Sequence, residues 1–192
     1  LDNNLENYFE DINGYKPEVI DHLDPKYIKP LKAYSYSSGE QINKRRWIIE
    51  STCISGAVTL IVGAGGAGKT TIGSQLCYSS IMGFPFFGKN VFETGNALMM
   101  VQEETRNEAL LKLRANEQQF GSVEHCKHQI DIISIEQNIK LTHFKHDGDV
   151  KVLNDYHALK KLIRNRKYKI IYLDPLISLK TGAFEENDNE KM

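Results

Sequence analysis

What the chain lacks narrows it first. It has only three cysteines, Cys53, Cys77 and Cys126, far apart and odd in number. That spacing gives neither a disulfide framework nor a thiolate metal set, and it suits a reducing cytoplasm. The three read as small core hydrophobes. Six histidines are scattered with no HxxxH pair, so a zinc site is not expected. No apolar run approaches the ~18 to 20 residues of a membrane span, no secretory leader is legible, and no membrane partner is expected. Net charge is nearly missing too, with 24 Lys and Arg against 25 Asp and Glu. Such a chain has no global field drawing it to nucleic acid or anionic lipid, so that contact needs a local patch or a further segment.

What is present suits a globular domain. The 192 residues, 41% apolar and 26% charged, can build one core. The chain begins with Leu1, not Met, and is expected to be a fragment or a processed form. Residues 1–45 are polar, carry Pro17, Pro25 and Pro30, and read as an extension with at most a short helix near "PEVIDHL". Residues 46–192 hold the patterned part. There "AVTLIVG" (57–63) is a continuous, β-branched apolar run and is expected as a fully buried strand. Ile72, Leu76, Cys77 and Ile81 then give a helical stripe that stops at Gly83.

A second strand, "ALMMVQ" (97–102), precedes a helix begun at Thr105, whose spacing to Glu108 is that of a capping box. Glu108 and Lys112 are expected to pair at i, i+4, with Leu110, Leu111 and Leu113 on the buried side. A third strand, "QIDIISI" (129–135), leads to a helix expected over 150–166, with Val152, Tyr156, Leu159, Leu162 and Ile163 on one face. The last strand, "KIIYLDPL" (169–176), ends in an acid. Strands alternating with helices predict an α/β fold, a mostly parallel sheet flanked by helices on both faces.

Residues 63–70 read Gly63-Ala64-Gly65-Gly66-Ala67-Gly68-Lys69-Thr70, a full match to G-x-x-x-x-G-K-[ST], followed by Thr71. Glycines let the backbone approach a bulky anion, successive N–H groups point inward, and the next helix offers its positive end. Lys69 can reach the β- and γ-phosphates of ATP, and Thr70 offers a hydroxyl to Mg²⁺. Asp174 ends an apolar strand at the sheet edge where ligands bind, and is the second candidate for the Mg²⁺ site. Its successor is Pro175, so a water-orienting carboxylate must come from elsewhere. Glu103, directly after the strand 97–102, is the candidate, with Glu104 one step nearer the cap. Both acids also suit a helix N-terminus without any catalytic duty.

With those pieces in place, the chain resembles the RecA-like P-loop ATPases, and within them the plasmid and phage RepA-type replicative helicases. "RRWIIESTCISGAVTLIVGAGGAGKTT", "ALMMVQEETRNEALLKLRA" and "IIYLDPLISLKTGAFEENDNEKM" carry the likeness over about residues 45–192. The resemblance implies catalytic roles for Lys69 and Glu103 and a ring, often hexameric, driven by ATP hydrolysis along single-stranded DNA. In such folds a later strand inserts between the Asp strand and the phosphate-loop strand, and later segments bring an arginine finger and DNA loops. Only 18 residues follow Asp174, so that strand, finger and DNA contact are expected outside this chain, and the core is expected to be incomplete at its C-terminus.

Two other readings stay open. A P-loop kinase acting on a small molecule needs lid arginines, and the only dense basic cluster, "LIRNRKYK" (162–169), reads as the solvated end of a helix. A nucleotide-operated regulator with slow turnover is also compatible with the motifs.

Overall fold

The structure, a computed structural model, describes residues 33, 35–36, 38–145 and 149–182. The chain divides into two compact units, Leu1–Asn43 and Lys44–Met192. The described residues of the first contain no helix or strand, and the short helix expected near residues 17–23 lies outside the described residues.

The second unit opens with an antiparallel pair, β1 (Trp47–Ile49) and β2 (Cys53–Ile54). Helix α1 (Lys69–Met82) follows the glycine-rich loop and ends at Gly83, whose φ of 79° closes it in the left-handed conformation. Strand β3 (Ala97–Val101), helix α2 (Arg106–Phe120) and strand β4 (Ile130–Ser134) come next. Two short strands, β5 (Thr142–Phe144) and β6 (Val150–Val152), lead to helix α3 (Asn154–Arg166), strand β7 (Ile170–Asp174) and strand β8 (Lys180–Gly182).

The central sheet is parallel with order β4-β3-β7. Every residue of β3 is buried, and its alternation sorts them onto two cores. Ala97, Met99 and Val101 pack with Leu76, Cys77 and Ile81 of α1 and Ala109 of α2. Leu98 and Met100 pack with Leu159 of α3 and with Leu179. Helices therefore cover both faces, as an α/β pattern requires. Burial pushes the Cys77 thiol up to about 12, so it serves as a core hydrophobe.

Four local expectations are corrected. The run 57–63 forms no strand and leaves Val58, Leu60 and Val62 at 89%, 74% and 89% exposure. A strand exists only through a ladder neighbour, and among the described residues none pairs with this run. The helix expected over 150–166 begins at Asn154. Val150–Val152 instead pairs antiparallel with β5, which pairs in parallel with β8, so a small second sheet β6-β5-β8 replaces the first helical turn. Val152 and Tyr156 are correspondingly exposed, whereas Leu159 is buried.

Helix α2 has the expected capping box: Thr105 accepts from the Glu108 N–H, and Glu108 accepts from the Thr105 N–H. That occupies the Glu108 carboxylate, so Lys112 pairs with Glu104 at 2.7 Å in place of Glu108. Leu111 is exposed; Ala109 is the buried apolar residue of this helix.

Candidate functional site

The loop 63–68 hands over to α1 through Gly68, the N-cap, with φ 82°, and Gly66 has φ 73°. Side chains rarely adopt that conformation, so these two positions call for glycine. A Cβ placed on Gly65, Gly66 or Gly68 would meet no atom within 4 Å, leaving open space over the backbone. No acidic residue occupies the first turn of α1, so its positive end is uncompensated and faces that space. Lys69 arches back over the loop, its Nζ donating to the carbonyls of Gly63 and Ala64, each at 2.9 Å.

Register carries Asp174 to the same place. Strand β7 pairs with β3 so that Val101 lies opposite Asp174, at the carboxyl edge of the sheet. Thr70 Oγ1 donates to Asp174 Oδ2 at 2.5 Å. Two residues 104 positions apart thus form one oxygen pair beside the loop, a hard donor set of the kind Mg²⁺ accepts together with phosphate and water.

Three residues that the sequence reasoning missed hold this geometry. Tyr172, two residues before Asp174, is buried and donates its hydroxyl to the Lys69 carbonyl at 3.0 Å. Its ring lies against Gly73 so closely that a Cβ there would be 2.2 Å from Cζ. Burial, then the Asp174 charge, raises the phenol far above its ordinary value, so it stays protonated and keeps donating. Gln102, also buried, donates Nε2 to the Ser134 carbonyl at 3.1 Å and accepts from the Ile139 N–H at 2.9 Å. The Gln102 N–H also donates to the Asp174 carbonyl at 2.8 Å, so this one residue ties the ends of all three central strands. A glycine inside a helix was the legible hint of the first contact; a lone Gln ending an apolar run was the hint of the second.

The two acids after β3 diverge. Glu104 takes the Lys112 ammonium, while Glu103 is exposed and accepts from Ser178 Oγ at 3.5 Å. Lys69, Thr70 and Asp174 are brought together with the glycine loop; no hydrogen bond joins Glu103 to any loop residue. A separate groove of about 690 Å³, lined by Tyr78, Leu110, Arg114 and Ile132 among others, opens between α1, α2 and β4 and includes none of these residues.

A parallel sheet with a glycine loop, a helix-starting Lys-Thr pair and a strand-ending Asp beside that Thr defines a P-loop nucleotide-binding protein of α/β fold. The AAA domain family matches residues 28–192, most of the chain. The chain belongs to that family, and nucleotide binding with ATPase activity is what the domain brings. No curated protein and no solved structure matches the chain significantly. No helix among the described residues is long and apolar enough to cross a membrane.

Proposed function

We propose that this domain is a Mg²⁺-dependent ATPase of the RepA-type replicative-helicase kind, working in a cytoplasmic ring on single-stranded DNA. The observation that carries the reading is the Thr70–Asp174 contact at 2.5 Å beside the glycine loop. Support for the finer assignment comes from the order of parts: Glu103 two residues after β3, and Asp174 followed by Pro175 rather than by a second acid.

In this reading the backbone N–H groups of Gly63, Ala64, Gly65, Gly66, Ala67 and Gly68 receive the phosphates of ATP at the positive end of α1, with Thr71 in the same turn. Lys69 exchanges its two loop carbonyls for β- and γ-phosphate oxygens. Thr70 and Asp174 would hold Mg²⁺, which when bound neutralises charge on the transferring phosphoryl group. Glu103 accepts a hydrogen bond from the attacking water, whose oxygen bonds to the γ-phosphorus as the bond to the β,γ-bridging oxygen breaks. ADP and phosphate leave, and the water proton passes to Glu103 and then to solvent.

The test is ATP turnover by the full-length protein, with and without single-stranded DNA, for the parent, Lys69→Ala and Glu103→Gln. Glu103→Gln should keep ATP binding and lose about 10²-fold or more in turnover, the range of a positioned general base. Lys69→Ala should lose binding or turnover. Unchanged hydrolysis in Lys69→Ala overturns the phosphate-loop assignment, and turnover indifferent to DNA overturns the helicase reading.

A further inference from the structure

The near-neutral total hides a strong division of charge. Residues 139–182 carry ten Lys and Arg against four Asp, so the rest of the chain has fourteen against twenty-one. Several of the ten are internally engaged: Arg166 is bidentate to Asp131, Lys169 binds Glu93, Lys145 binds Asp149, and Lys140 donates to the Ser178 carbonyl.

The remainder concentrate on the outward side of α3. Lys160, Lys161, Arg164 and Lys167 are all exposed, and no ion pair joins them to another described residue. His157 precedes them on the same side at i, i+3 and i+4 spacing; Lys160, Arg164 and Lys167 stand ~4.5–6 Å apart along the axis, with Lys161 beside Lys160. The only acid on the helix, Asp155, accepts from the Lys140 N–H. The charged residues of helix α2, by contrast, mix signs: Arg106, Glu108, Lys112, Arg114 and Glu117.

Aromatic rings interleave with these cations. Tyr156 is 38% exposed, with Lys160 Nζ 5.8 Å from its ring centre and the His157 ring edge-on at 5.5 Å. Exposed Lys151 of β6 extends the basic surface onto the small sheet.

We infer that the outer face of α3, with Tyr156 at its start, is a binding surface for single-stranded nucleic acid. Closely spaced cations track a phosphate backbone, and a ring beside them offers a stacking platform that unpaired bases can reach. A bilayer surface fits less well, because the apolar side of α3, Leu159 and Ile163, is packed on the sheet and offers nothing to insert. The inference adds a contact surface within this chain to the DNA-coupled reading, where later segments alone were expected, and it rests on that reading for the link to hydrolysis. The helix leads directly into β7, which ends in Asp174.

The experiment is fluorescence anisotropy of labelled oligothymidylate, about 20 nucleotides long to exceed the ~4–16 covered by typical single-strand folds, on the full chain without nucleotide. The comparison is the parent against Lys160→Gln/Lys161→Gln/Arg164→Gln. Affinity should fall about ten-fold or more, and the slope of log K against log[salt] should flatten by about 2, three contacts at ~0.7 each. Tyr156→Ala should weaken binding with the slope unchanged. The triple variant should melt like the parent and keep its DNA-free ATP turnover. Equal affinity and slope in parent and triple variant overturn the inference, as does binding of phosphatidylserine vesicles without binding of the oligonucleotide. Hydrolysis is read separately through Lys69→Ala, so loss of one reading is not mistaken for loss of the other.

Discussion

Replacing Gly73 with alanine tests the contact that seats α1 on β7. The new Cβ would stand 2.2, 2.3 and 2.5 Å from three carbons of the Tyr172 ring. Carbon atoms rest at ~3.5–4.0 Å, so helix and strand must part by more than ~1 Å or the ring must turn. Turning is opposed because the Tyr172 hydroxyl is tied to the Lys69 carbonyl at 3.0 Å. Overpacking of this kind costs ~1–3 kcal/mol, and the helix-propensity gain of Ala over Gly returns ~1 kcal/mol. So deep an overlap points to the upper end, a net loss of about 2 kcal/mol, or a fall in Tm of about 4–8 °C for a chain this size. Urea and thermal unfolding read it directly. In a Tyr172→Ala background the same substitution should become neutral or stabilising by up to ~1 kcal/mol, so the cycle isolates the contact. A more stable Gly73→Ala in the parent background would refute the reasoning, because then no ring stands over that glycine.

Two further outcomes are expected. Asp131, held below the usual carboxylate range first by its hydrogen bonds from Arg166 and then by Tyr168, contributes stability that is full above the unfolded value of ~3.9 and is lost as pH falls through the lower folded value. Asp131→Asn should therefore cost about 1 kcal/mol at pH 7, a figure discounted for partial exposure, and its gap to the parent should close in acid; a gap independent of pH would refute this. Thr105→Ala should cost ~0.5–2 kcal/mol by removing the α2 cap; an unchanged urea midpoint would show that Glu108 alone suffices.

The legible parts were those decided locally. Thr105 and Glu108 make a capping box within four residues, and Gly83 stops α1 by its own backbone conformation. The phosphate loop was legible because its glycines, Lys69 and Thr70 act in one turn. What escaped depended on distant partners. The run 57–63 has strand composition but no ladder neighbour among the described residues. Val150 and Val152 looked like the start of a helix because nothing nearby announced residues 142–144 as a pairing strand. The Glu108–Lys112 pair failed because the cap had already claimed that carboxylate and Glu104 stood free. Of the candidate site, the residue types were readable; the brace from Tyr172 through Gly73 to Lys69 was not, since it joins residues about a hundred positions apart.

The phosphate loop is anchored unequally at its two ends. Behind it stands α1, packed on the fully buried β3; before it runs a segment that has no ladder among the described residues and carries three largely exposed apolar side chains. Amide hydrogens should report this as a sharp gradient, with Met99 to Val101 exchanging only through global opening and residues 58–62 exchanging almost at once. A ligand closing on such a loop must fix the free side as it binds. Part of its interaction energy then goes into conformational order, and affinity becomes sensitive to anything that pre-orders the run 57–63.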